Sequence, residues 1–111
     1  MGYFYLIIAI VGEVVGTISL KNSESFTQPI PSSLVIIGYL IAFYFMMLSM
    51  KTIPVAITYS IWAGIGITAI AIISSIKFGE IPDLYAIVGL IFIIVGIFIL
   101  VSLSNMGKNI A

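Results

Sequence analysis

Four apolar runs of membrane-spanning length, separated by short breaks, constrain this chain more than any other feature. They lie near residues 3–20, 33–50, 53–76 and 84–103. Each is roughly 18 to 24 residues long, and a helix needs ~20 to cross ~30 Å of hydrocarbon. The runs are rich in Ile and Val, which in a water-soluble chain would suggest strands. At this length, with no turn chemistry inside them, they predict helices, because backbone groups in lipid must pair within their own segment. The expected fold is an all-α integral membrane protein, a single four-helix transmembrane domain over residues 1–111.

Composition agrees and narrows the function. The chain is 62% hydrophobic, with four lysines, four acids, and no arginine, histidine or cysteine. A soluble domain carries roughly a quarter charged residues. No basic patch exists for nucleic acid, so phosphate neutralisation is excluded. Disulfides and thiolate metal ligation are unavailable. No cofactor or metal is expected, and a lone buried acid without a base, histidine or cysteine argues against an enzyme. The start, MGYFYLII, lacks the basic side chain of a secretory signal and runs on into more apolar sequence, so the first segment is expected to be retained.

The breaks carry recognisable punctuation. Lys21–Ser25 ends the first run, and Pro29 and Pro31 predict an extended connection into the second. Pro54 suits a helix start. Gly79 suits a helix end and Asp83 an N-cap. A frayed polar end is expected at Met106–Asn109. Glu24, Glu80 and Asp83 fall in loops and read as solvated, and Tyr3, Tyr5 and Tyr85 as interfacial belt residues. With four spans, Lys51 and Lys108 share one side, while Lys21 and Lys77 share the other. Two against two gives the positive-inside rule no preference, so a partner fixes the orientation or the chain inserts both ways round. Four short helices also enclose little, which favours an oligomer.

The sequence IVGEVVGT, residues 10–17, puts one carboxylate in the middle of an otherwise uncharged span. A charge at a helix centre costs roughly 2.5–3.5 kcal/mol on insertion scales. Such residues usually face a bundle interior and serve ion, proton or substrate pathways. Residues four apart share a face, so Ala9, Glu13 and Thr17 form a column, with Ile10 and Gly16 alongside. Small side chains at 9, 16 and 17 leave room that suits a ligand. The bland alternative is a protonated Glu held by a neighbouring helix; a structural ion pair within one chain is not expected, because no lysine or arginine within any span could pair with it. A carboxyl group that is protonated when empty and ionised when it holds a cation has the chemistry of an antiporter.

Aromatic residues extend the pattern. Tyr59 and Trp62 are spaced i, i+3 on the third span, and Tyr39 lies midway along the second. Aromatic faces beside a carboxylate attract organic cations, at ~0.5–2 kcal/mol per contact. Gly64 and Gly66 follow at once, and each lowers helix stability by ~1 kcal/mol relative to Ala. They read equally as tight packing points or as a hinge. Gly89 and Gly96, seven apart on the fourth span, suit a dimer seam or packing within one subunit.

Together these features resemble the small multidrug resistance family of four-helix bacterial exporters. The resemblance rests on the Glu in GEVVGT, Leu20-Lys21 with Ser-Glu-Ser-Phe-Thr, Pro31-Ser32, and the Tyr-x-x-Trp-x-Gly-x-Gly run from Tyr59. Phe78-Gly79-Glu80 and the Gly89/Gly96 pair complete it. It implies a multi-pass protein of a bacterial inner or plasma membrane that assembles as an antiparallel, dual-topology dimer. The partner copy is a homodimer mate or a paralogue in a heterodimer. It further implies that the two Glu13 carboxylates form one site for protons or lipophilic cations, lined by Tyr39, Tyr59 and Trp62. Gly64 and Gly66 would fall at the third-helix kink, and Gly89 and Gly96 at the dimer contact. The guanidinium-exporting branch carries a Trp and a Ser where this chain has Gly16 and Ala42, so the branch exporting quaternary ammonium compounds is the expected one. Export of guanidinium or polyamine, a non-transporting subunit of a heteromeric complex, and more remotely a holin-like pore are the alternatives.

Overall fold

A computed structural model describes residues 1–105. Among them are four helices, α1 (Gly2–Asn22), α2 (Pro29–Ser49), α3 (Val55–Lys77) and α4 (Leu84–Ser102). Each is long and apolar enough to cross a membrane. The molecule is a slab of 45 × 35 × 17 Å, thin because the helices lie side by side rather than around a centre. α1 packs most extensively on α2 and next on α3, while α4 leans chiefly on α3. The frayed end expected at Met106–Asn109, and Lys108 with it, lie outside the described residues.

Helix ends follow local chemistry. Asp83 caps α4, its carboxylate accepting from the Ala86 amide at 2.9 Å, which satisfies one of the orphan donors of a helix start. Gly79, with φ of +71°, reverses the chain after α3, where a side chain would be strained. The turn is fixed by the Phe78 and Glu80 amides, both donating to the Ser74 carbonyl. Pro54 stands immediately before α3. At α2 the expectation needs correction. Pro29 and Pro31 are not an extended connection but the first turn of the helix itself. Proline fits there because the amides it removes have no intrahelical partner.

The first loop shows strain that the sequence does not advertise. Glu24, Ser25 and Phe26 all have positive φ (46°, 62° and 67°), a conformation costing roughly 1–2 kcal/mol per residue. The Thr27 and Gln28 amides donate to the Ser23 carbonyl (2.9 and 3.0 Å) and hold the turn. Ser23 itself is buried, its hydroxyl donating to the Leu20 carbonyl at 2.7 Å.

Two packing zones hold the slab together. At the end where α1 and α3 begin and α4 finishes, Leu6, Ile10, Ile53 and Ile57 form a buried cluster, flanked by Val14, Ile61, Trp62, Leu100 and Val101. In lipid the gain from such a cluster is van der Waals packing, since the surroundings are equally apolar. Midway along α1, Gly12 and Gly16 meet Gly38 of α2. A Cβ on Gly38 would sit 2.7 Å from the Gly12 carbonyl oxygen and 2.9 Å from the Gly16 nitrogen. These helices touch backbone to backbone, a closeness that small residues permit.

Candidate functional site

The two helix contacts just described place α1 between α2 and α3 at the level of Glu13. One carboxylate oxygen, Oε1, accepts from the Thr17 hydroxyl at 3.0 Å. The Thr17 oxygen lies 2.6 Å from the Tyr39 hydroxyl of α2. Since Thr17 has a single proton and gives it to Glu13, Tyr39 donates to Thr17, and a directed chain runs Tyr39 to Thr17 to Glu13. The other oxygen, Oε2, is buried and has no hydrogen-bond partner among the described residues. It points at α3, where a Cβ on Gly66 would lie 2.8 Å from it. Gly66 therefore lets the α3 backbone reach the carboxylate.

The same face of α3 carries the aromatic residues, because Tyr59, Trp62 and Gly66 follow at i, i+3 and i+7. The Tyr59 and Trp62 rings are 5.6 Å apart. Trp62 packs on the buried cluster, and its indole N–H is the second buried polar group without a partner among the described residues. Buried polar atoms are normally paired, so two orphans on facing helices make this the candidate binding place. Phe43 of α2, absent from the sequence reading, lies 6.1 Å from Tyr39 and 6.0 Å from Trp62. It joins the aromatic residues of α2 and α3 into one band, Tyr39–Phe43–Trp62–Tyr59. Its i, i+4 spacing from Tyr39 was the available signal.

The remaining expected site residues divide. Thr17 joins the carboxylate directly. Ala9 is completely buried and Ile10 belongs to the apolar cluster, so both are packed within the protomer. The space expected around Gly16 is occupied, which corrects the sequence reading. Its missing side chain is filled by the Tyr39 ring, 3.3 Å from where a Cβ would stand, while its backbone lies against Gly38. Ala42 is likewise fully buried against α1, near Gly12. The small residues at 16 and 42 thus close the α1–α2 seam rather than widen a pocket. α3 runs unbroken through Gly64 and Gly66, and both glycines are close-approach points, Gly64 toward Ile97 of α4. Gly89 and Gly96 have open space around them and lie exposed on α4, whose residues are nowhere buried. Glu80, expected to be merely solvated, pairs with Lys21.

An apolar groove of about 350 Å³ opens on the flank of α1 opposite Glu13, between Ile7, Val11, Val15, Ile37 and Ile41. It offers no charge and suits hydrocarbon. Among the described residues no cluster of histidine, cysteine or carboxylate could hold a metal ion.

Comparison with known proteins places the chain in a family. A profile of the family described as Small Multidrug Resistance protein matches residues 1–103. The quaternary ammonium compound-resistance protein QacE of Escherichia coli is 47% identical over 104 residues, 94% of each chain. QacC of Staphylococcus aureus, likewise a quaternary ammonium compound-resistance protein, is 46% identical over 109 residues, 98% of this chain and 99% of its own. A putative ethidium bromide resistance protein of Escherichia coli is 48% identical over 89 residues, 80% of this chain and 77% of its own. Membership of such a family sets the chain among multi-pass proteins of the bacterial cell membrane and apart from enzymes. The chain belongs to the Small Multidrug Resistance protein family.

Proposed function

We propose that this protein exports hydrophobic and quaternary ammonium cations in exchange for protons, with the Glu13 carboxylate taken in turn by each. The family and the names of the relatives support efflux of quaternary ammonium compounds as the broad activity. The observation that carries the finer reading is the divided state of Glu13. Oε1 is held by the Tyr39–Thr17 chain, while buried Oε2 has no donor. A carboxyl group so placed binds one proton or lies against one organic cation, and the two occupants exclude each other by charge. Tyr39, Tyr59, Trp62 and Phe43 supply ring faces for the apolar part of the cation, each worth ~0.5–2 kcal/mol. Gly64 and Gly66 give α3 the freedom to move against Glu13 as the occupant changes.

The working unit in this reading is two copies in opposite orientation, their Glu13 residues sharing one site. A slab only 17 Å thick supports this, as does an α4 that buries none of its residues and opens Gly89 and Gly96 to the surroundings. The test is Glu13→Gln in proteoliposomes carrying a proton gradient. Uptake of tetraphenylphosphonium is expected to fall at least about a hundredfold, since the proton and the cation lose their common site. Uptake that persists would contradict the mechanism.

A further inference from the structure

The column that carries Glu13 and Thr17 continues one turn further to Lys21, with only about 40° of drift per step of four residues. Two such steps turn Lys21 about 80° from Glu13 and place it about 12 Å along the axis, on the flank of α1 that meets the α3–α4 turn. Its ammonium pairs with the Glu80 carboxylate of the α3–α4 turn, 59 residues away in sequence. The same ammonium stands 4.7 Å from the centre of the Phe78 ring, and Lys77 lies 5.9 Å from that ring. Gly79 and the Ser74 carbonyl fix the turn that presents Phe78 and Glu80. The opposite end of the α1–α3 contact is closed differently, by the apolar cluster of Leu6, Ile10, Ile53 and Ile57.

From this difference between the two ends we infer that Lys21, Phe78 and Glu80 form an ionic latch, which closes the polar end of the α1–α3 contact between Glu13 and water. An apolar cluster opens only by losing its packing. A half-exposed ion pair over a ring exchanges its partners with water at little cost, because such pairs are worth only ~0.2–1 kcal/mol. The polar end is the one suited to repeated opening. Phe78 and Glu80 hold the cationic end of Lys21 as an aromatic face and a carboxylate hold any ammonium group. An incoming organic cation therefore competes with Lys21 at the latch before it reaches Glu13. The inference concerns the access route to the site and rests on Glu13 being the transport site described above.

Trp62 is the only tryptophan, so its fluorescence reports on water access to the site without any transport measurement. In liposomes holding the full chain, quenching of Trp62 by aqueous acrylamide is expected to rise about two- to tenfold in Lys21→Gln and in Glu80→Gln. The exchanged pair Lys21→Glu with Glu80→Lys is expected to return it near the starting value. Salt is expected to raise quenching in the unaltered protein and not in Glu80→Gln, since exposed charges are screened. Equal quenching in all forms, or an exchanged pair no tighter than the single variants, would overturn the latch. Tetraphenylphosphonium uptake in the same liposomes keeps the two readings separate: its absence alongside the expected quenching pattern contradicts the exporter account and leaves the latch standing.

Discussion

α1 and α4 are both single membrane-spanning helices of similar length, yet they use their surfaces in opposite ways. α1 carries the one carboxylate within a span, buries seven residues and touches two helices. α4 is the most apolar of the four and buries none. In water the more apolar helix would be the one inside. In lipid no such rule operates, because hydrocarbon tails are as apolar as the side chains. What draws α1 inward is small residues that let backbones approach closely, and polar groups that lipid accommodates poorly.

Glycine substitution separates the two helices most sharply. Gly38→Val would drive a side chain into the Gly12 carbonyl and the backbone at Gly16. Such overpacking typically costs 1–3 kcal/mol, and here the obstruction is backbone, so about 3 kcal/mol is expected. Unfolding in mixed detergent micelles measures it. If stability were unchanged, the backbone seam between α1 and α2 would be refuted. On α4 the same change has a different target. A Cβ at Gly96 meets nothing within 4 Å, so in Gly96→Val the fold is expected to survive while self-association in detergent weakens about tenfold. Unchanged association would remove Gly96 from the seam. The smallest effect is expected at Gly66→Ala. Alanine favours a helix by up to ~1 kcal/mol, yet its Cβ presses on Glu13 Oε2. Stability holds or rises slightly while tetraphenylphosphonium affinity falls several-fold; equal affinity would show that the carboxylate does not depend on that close approach.

The contrast between helices also explains what could be read in advance. Length and apolarity set four spans because lipid permits a spanning chain so few backbone solutions. Glu13, Tyr39 and Trp62 stood out because a polar or bulky group within a span has few bland explanations. Glycine was harder. Gly16 signals space, but sequence does not say whether a ligand or a neighbouring side chain takes it, and here the Tyr39 ring does. The spacing of Gly12 and Gly16 was visible; their partner Gly38 was a matter of how α2 crosses α1. Pro29 and Pro31 read as breakers because proline ends helices, although a first turn tolerates it equally well. The Lys21–Glu80 pair joins residues 59 positions apart, and no local pattern announces such a contact.

The central claim is that one carboxylate serves two occupants, and the most direct test is tetraphenylphosphonium binding to the purified protein as a function of pH, with proton release measured in the same titration. The account predicts that affinity weakens as pH falls, approaching about tenfold per pH unit where one proton exchanges for one cation. Binding should expel protons into an unbuffered solution, and Glu13→Gln should abolish both effects. A cation affinity that stays level across the pH range, with no proton released, would contradict it.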